Sequence, residues 1–216
     1  MKNRILITSG PTVEPIDPVR FLSNRSSGKT GFYIAEEAKK RNLGEIIFIT
    51  GPTRYIPNDI KIVEIESALE MKEQVLKYYN RSDIVIMAAA VSDFSSAKIY
   101  PEKIKKTREN FTLKLVKNPD ILLELGKNKK KQILVGFAAE TENMFENAQN
   151  KFKTKNLDLL VLNEISDKNK AFDVDDNQVY FISGSGIKKN EKMNKSEIAS
   201  ILWDEIENLI NNKKIT

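Results

Sequence analysis

The chain of 216 residues has no cysteine and no histidine. Without cysteine there is no disulfide and no thiolate nucleophile. Without either residue there is no Cys/His zinc site, and no imidazole is available as a general base. Chemistry falls to Asp, Glu, Lys, Arg, Ser, Thr, Tyr, Asn and backbone amides. A metal, if used, is then a hard cation held by oxygens, most simply magnesium carried on phosphates. No apolar run approaches the ~20 residues that cross a bilayer, so no membrane partner is expected. Met1-Lys2-Asn3-Arg4 leads into a short apolar run with no small-residue cleavage site. No signal peptide is expected, and the cytoplasm is the default location. Charge of one sign is also scarce. The net +5, from 35 basic and 30 acidic residues, suits small anionic substrates and argues little for nucleic acid.

What is present fits one globular α/β domain over residues 1–216, with 40% hydrophobic and 30% charged residues. No repeat, linker or domain boundary interrupts it. The stretch from Ile5 to Gly31 organises the rest: a strand (Ile5 to Thr8), a long loop, and a helix starting at Gly28. Pro11, Pro15 and Pro18 stiffen the loop, and Phe21 and Leu22 call for burial. Its end, Ser23-Asn24-Arg25-Ser26-Ser27-Gly28-Lys29-Thr30-Gly31, is dense in donors at a helix N-terminus, where free amides and the helix dipole favour an anion. Gly28-Lys29-Thr30 is not a P-loop, because position 23, where that motif needs glycine, is serine. The plain alternative is an ordinary capped helix start.

Further strands are read at Glu45 to Thr50, Ile60 to Ile65, Asp83 to Ala89, Gln132 to Ala138 and Leu157 to Leu162. Val179 to Ile182 is expected at the sheet edge. Helices are read at Gly31 to Arg41, Ser67 to Tyr79 (Leu69, Val75, Leu76 and Tyr79 inward, Ser67 as N-cap), Pro119 onward, after Thr141 to about Lys155, and Ser196 to Ile210. Ser166 to Gln178 is polar loop, and Asn211 to Thr216 a frayed tail. Residues 94–117 break the rhythm as a two-stranded excursion. The alternation predicts a doubly wound, mostly parallel sheet.

Several strand ends carry candidate site residues. Asp93 follows the small triplet Ala88-Ala89-Ala90, and suits a turn, a metal-phosphate contact or a ribose contact. Lys103, Lys105 and Lys106 are either a solvated charge run or a clamp on a triphosphate. Lys151 and Lys155, an i,i+4 pair, face solvent or phosphates. Phe137 packs in the core or against a base or acyl chain. Asn163 is an amide partner or a turn residue.

Taken in order, a set of motifs spans nearly the whole chain: Thr8 to Thr12, Glu14 to Arg20, Ser23 to Lys29, Ala89 to Phe94, Lys103 to Lys106, Asn118 to Ile121, Gly136 to Thr141 and Lys155 to Asp158. Together they resemble bacterial phosphopantothenate–cysteine ligase, in a stand-alone form without the flavin-dependent decarboxylase domain often fused before it. The resemblance implies a Rossmann-like homodimer, with the 94–117 excursion reaching across the interface and helping to close the active site. It implies a CTP-dependent ligase of coenzyme A synthesis that joins 4'-phosphopantothenate and L-cysteine, with Mg2+ as cofactor and a functional link to a separate phosphopantothenoylcysteine decarboxylase. The substrate carboxylate attacks the nucleotide α-phosphate, giving an acyl-cytidylate and pyrophosphate; the cysteine amine then displaces CMP.

Position by position, the resemblance implies the following roles. Asn24 handles the acyl-nucleotide and, as a neutral donor, is expected to hydrogen-bond its carbonyl. Gly10, Ser26, Gly28 and Gly31 surround the phosphopantothenate phosphate, with Asn163 near the same substrate. Ala89, Asp93, Pro119, Asp120, Ile121, Leu122, Phe137, Lys151 and Lys155 hold the nucleotide, Asp93 also near the metal. Lys103 is required to form the acyl-nucleotide. Two rival readings stand beside this one. One is another nucleotide-dependent enzyme on the same fold, such as an ATP-using ligase or a dinucleotide oxidoreductase, although the first loop lacks a short Gly-x-Gly-x-x-Gly turn. The other is a non-catalytic binding protein with a basic arm, although Lys103 to Lys106 stands without interleaved aromatics.

Overall fold

The computed structural model describes residues 2–105, 110–140, 142–164 and 176–215, with side chains through Asn212. Lys106, Thr141, Thr216 and the 107–109 and 166–175 parts of the two expected loops lie outside the described residues. In chain order the first elements are β1 (Asn3–Ser9), β2 (Val13–Pro15), β3 (Phe21–Ser23), α1 (Lys29–Lys40), β4 (Gly44–Thr50), β5 (Lys61–Glu64) and α2 (Ala68–Tyr79). Then come β6 (Ile84–Met87), β7 (Phe94–Ser96), β8 (Leu115–Lys117), α3 (Ile121–Lys127), β9 (Ile133–Glu140), α4 (Met144–Thr154) and β10 (Leu159–Glu164). The chain closes with β11 (Asp176–Asn177), β12 (Val179–Ser183), β13 (Gly186–Lys189), β14 (Met193–Asn194) and α5 (Lys195–Ile215).

Eight strands form one sheet in the order β13-β12-β10-β9-β6-β1-β4-β5. The six from β5 to β10 are parallel, β12 runs antiparallel to them, and β13 runs antiparallel to β12. This is the doubly wound, Rossmann-like arrangement. The chain winds outward from β1 to β5, then returns to β6 on the other side of β1, so the crevice at the carboxyl ends of β1 and β6 is the natural ligand position.

The strands are apolar on both faces because helices cover both. Ile5 and Ile7 of β1 pack with Ile34, Ala38 and Trp203 of α1 and α5, while Leu6 packs on the opposite face with Met71 and Val75 of α2 and Leu134 of β9. The buried Trp203 Nε1–H donates to the Ile34 carbonyl at 2.9 Å. At the end of α1 the Arg41 guanidinium pairs with Glu37, Asp204 and Glu207 and donates to Ser200, binding α1 to α5. Ser67 caps α2 by accepting from Glu70 N–H at 3.2 Å, as its position predicts, and the buried Glu14 carboxylate adds a bond from Ala68 N–H at 2.9 Å.

The structure departs from the sequence reading in several places. The first loop contains the β2–β3 hairpin, and Phe21 is 58% exposed instead of buried. Leu69 is also 58% exposed, and Ala68 and Met71 take inward positions on α2. Pro119 precedes the helix, and Asp120 is the N-cap, accepting from Leu123 N–H at 3.0 Å. β12 is not the edge strand, because β13 lies outside it. The expected frayed tail continues α5 as far as Ile215. The excursion is present as the β7–β8 pair, with its second strand shorter than the alternation from Phe111 suggests. No helix among the described residues is long and apolar enough to cross a membrane.

Candidate active site

The crevice is assembled by hydrogen bonds that join the ends of β1 and β6. Ala90 N–H donates to the Gly10 carbonyl at 2.9 Å, and Thr12 N–H returns a bond to Ala90 at 3.2 Å. Thr8 Oγ1 accepts from Ala89 N–H at 3.2 Å, and Thr12 Oγ1 from Ser92 N–H at 3.0 Å. Small side chains at Ala88 to Ala90 leave room above this seam. Gly10, with φ 71°, lies against the Gly51 carbonyl and supports the crevice from beneath; it lines neither of the cavities below.

α1 starts at the mouth of the crevice. Gly28, its N-cap, adopts φ 80°, a left-handed conformation that favours glycine, and provides no side-chain cap. Instead, Ser26 Oγ lies 3.4 Å from Gly28 N and Ser27 Oγ 3.5 Å from Lys29 N. These are long contacts, and no acidic side chain occupies the first turn. The helix therefore presents amides, hydroxyls and its positive dipole end together. A Cβ at Gly31 would lie 2.4 Å from Ser9 Oγ, so only glycine lets α1 seat this closely on the end of β1.

Two cavities open here. The first, of about 270 Å³, is lined by Asn24, Ser26 to Gly31, Ala88 to Val91, Asp93, Phe137 to Ala139, Lys151 and Asn163, with Asn177 and Lys195 from the tail. The second, of about 470 Å³, runs along Met87, Ala89, Val91 to Phe94, Lys117 to Leu122, Phe137, Lys151 and Lys155. Ala89, Val91, Asp93, Phe137 and Lys151 line both, so the cavities share a wall. Of the residues singled out from sequence, Asn24, Ser26, Gly28, Gly31 and Asn163 gather in the first. Pro119, Asp120, Ile121, Leu122 and Lys155 gather in the second, and Ala89, Asp93, Phe137 and Lys151 stand between. A cavity of about 500 Å³ at the opposite end of the sheet, beside Trp203, holds none of them.

The charged groups are held by partners. Lys151 Nζ pairs with Glu140 at the end of β9, and Lys155 Nζ pairs at 3.0 Å with Asp120, the cap of α3. Asn24 Nδ2 donates to the carbonyls of Ala90 at 3.2 Å and Val91 at 3.1 Å. Both amide hydrogens are thus engaged, and Oδ1 is the atom left for a ligand. The donor role expected for Asn24 would draw on hydrogens that these two carbonyls hold here. Asp93 is an exposed carboxylate on the common wall, and its carbonyl accepts from Asn118 N–H at 2.9 Å. Among the described residues no group of three acidic side chains could hold a metal alone.

Lys103 lies outside both cavities, exposed on the arm between β7 and β8. The buried Asp17 carboxylate anchors this arm, accepting from Ile104 N–H at 3.1 Å and from Val19 and Arg20 N–H at 2.8 Å each. Burial alone would raise the Asp17 carboxyl. The backbone bonds from Val19, Ile104 and Arg20, with the Arg20 side chain, prevail and lower it to about 2.

Sequence reasoning missed Asn177, Lys195 and Lys117. Lys195 is 4% exposed and lines the first cavity from the start of α5. It stands alone in a polar tail with no spacing or strand-end position to distinguish it; only the tertiary fold brings it to the crevice.

Residues 1–210 match the family described as DNA/pantothenate metabolism flavoprotein C-terminal domain. The Coenzyme A biosynthesis bifunctional protein CoaBC of Borreliella burgdorferi is 46% identical over 204 residues, 92% of this chain and 51% of that protein. A Cysteine/Cysteine sulfinic acid decarboxylase from an unknown prokaryotic organism is 41% identical over 211 residues, 96% of this chain and 58% of that protein. The chain thus spans about half the length of the curated relatives it matches. The crystal structure of the C-terminal domain of Coenzyme A biosynthesis bifunctional protein CoaBC superposes with a TM-score of 0.81 at 38% identity, covering 97% of this chain and 96% of that one.

Proposed function

The chain belongs to the family of DNA/pantothenate metabolism flavoprotein C-terminal domains, and from that membership we propose that it is a phosphopantothenate–cysteine ligase acting in coenzyme A synthesis in the cytoplasm. One observation carries the proposal: two cavities share a wall built from Asp93, Phe137 and Lys151, with a helix N-terminus in one and a lysine-lined groove in the other. A reaction that joins a phosphorylated acid to a nucleotide needs such a pair of adjoining sites.

In this reading the phosphate of 4'-phosphopantothenate lies at the start of α1, against the amides of Gly28 to Gly31 and the Ser26 hydroxyl, with Asn163 alongside. Its carboxylate reaches the common wall. CTP occupies the second cavity, its base near Phe137 and Pro119 to Leu122. Lys151 and Lys155 exchange Glu140 and Asp120 for the nucleotide phosphates. The carboxylate oxygen attacks the α-phosphorus in line, the bond to the β-phosphate oxygen breaks, and pyrophosphate leaves. No general base is needed for this step, because the nucleophile is already ionised. Holding two anions in line and neutralising the growing charge is positioning plus electrostatics, and one such contact is worth ~3–4 kcal/mol of transition-state stabilisation. The lone Asp93 carboxylate fits magnesium arriving on the phosphates, which would add further neutralisation there. Asn24 Oδ1 is oriented to accept from the attacking cysteine amine in the second step, which releases CMP.

The protein acts as a homodimer in this reading. Val19, Phe21, Phe94, Ile99, Phe111, Leu115 and Val116 are large apolar side chains left exposed, all on the first loop and the excursion. Such a concentration marks an interaction surface. The product is the substrate of a phosphopantothenoylcysteine decarboxylase, a functional partner for this chain. The test is mass spectrometry of an incubation with 4'-phosphopantothenate, L-cysteine, CTP and Mg2+. 4'-Phosphopantothenoylcysteine and CMP in equal amounts are expected; CMP without the amide, or neither product, would refute the ligase.

A further inference from the structure

Among its described residues, the arm that carries Lys103 has no helix or strand of its own between β7 and β8. Lys103 is nonetheless held on both sides by one turn of the first loop. Tyr100 N–H donates to the Ile16 carbonyl at 2.8 Å. Ile104 N–H donates to Asp17 Oδ2 at 3.1 Å, and Arg20 Nη1 donates to the Ile104 carbonyl at 3.2 Å. The Asp17 side chain is fully buried and also pairs with the Arg20 guanidinium. One carboxylate therefore joins segments 87 positions apart in sequence. A buried carboxylate surrounded by donors from both segments specifies their relative placement, because neither segment can shift without leaving it unsatisfied.

We propose that Asp17, acting with Arg20, is a positioning residue for Lys103: it fixes the arm so that the lysine is presented for acyl-nucleotide formation. This rests on the ligase reading, in which Lys103 serves the first step and not the second. Asparagine at position 17 keeps the shape, but it has one acceptor oxygen and a donor facing donors. The bond to Ile104 is then lost while β1 and the crevice seam remain.

The test separates the two half-reactions in the full-length protein. The first is pyrophosphate release from CTP with 4'-phosphopantothenate and Mg2+; the second is conversion of synthetic acyl-cytidylate by L-cysteine. Asp17→Asn is expected to lower kcat of the first by about 10²-fold, the scale of a small misplacement, with little change in KM for CTP and the second half-reaction intact. Added to Lys103→Ala, it should cost little more, because both changes remove the same contribution. Equal losses in both half-reactions, additive losses in the double variant, or an unchanged first half-reaction would each overturn the proposal. If Asp17→Asn does not fold, Arg20→Gln removes the bond to the Ile104 carbonyl and is read in the same assays. If the wild type releases no pyrophosphate, the ligase reading itself fails. Trypsin cleavage after Lys103 then still tests the anchor, with faster cutting in Asp17→Asn expected and an unchanged rate refuting it.

Discussion

At the scale of single residues, Asn24 shows how a fold constrains a chemical role. Its amide hydrogens face the carbonyls of Ala90 and Val91, which leaves an acceptor at the first cavity. Asn24→Ala should let pyrophosphate release proceed while acyl-cytidylate accumulates, with the second step slowed ~10²-fold, the typical loss of one positioned polar contact. Quench-flow detection of the intermediate checks this. Asn24→Asp should be worse, because a carboxylate would oppose two carbonyl oxygens. Asp17 yields a prediction about pH. Its carboxyl is held at about 2, below the ordinary 3.8, so its contribution to stability is intact above about pH 4 and lost as pH falls toward 2. The gap in Tm between wild type and Asp17→Asn should be constant from neutral pH to about pH 5 and close between pH 4 and 2 in thermal scans; a gap that widens on acidification would contradict this.

At the scale of elements, the start of α1 links packing to binding. Gly31→Ala would place a methyl group 2.5 Å from Ser9 Cβ. The helix must then move off β1, at a cost of ~1–3 kcal/mol, the usual range for overpacking. Calorimetry should show the lower Tm, and affinity for 4'-phosphopantothenate should fall with it. This element was legible in the sequence because glycine, serine and a strand end lie close together there. The parallel strands were legible too, since burial on both faces demands unbroken apolar runs such as Ile46 to Ile49. What escaped was set at long range. Phe21 and Leu69 are apolar by type, yet each is 58% exposed, with no helix among the described residues covering it. Lys195 reaches the first cavity only because α5 packs back across the sheet. The hairpin β13 displaces β12 from the edge with the unremarkable residues Gly186 to Lys189, all exposed.

At the scale of the whole molecule, doubly wound topology brings the ends of β1, β6, β9 and β10 to one crevice, and β6, β9, β10 and the loop before α1 supply lining residues from different parts of the chain. The exposed apolar surface on the first loop and excursion lies beside Asp17 and the Lys103 arm, so in the proposed reading a change at this surface should reach turnover as well as assembly. If the proposed homodimer forms through this surface, light scattering should show a dimer for the wild type and a monomer for Phe21→Asp, with turnover reduced; an unchanged mass would argue against this surface as the interface. The most direct test of ligase function is pyrophosphate release with 4'-phosphopantothenate and Mg2+ in the absence of cysteine, comparing CTP with ATP. Release with CTP, followed by CMP and amide when cysteine is added, is expected. Release with ATP alone would contradict the nucleotide assignment, and no release with either from the folded protein would contradict the ligase itself.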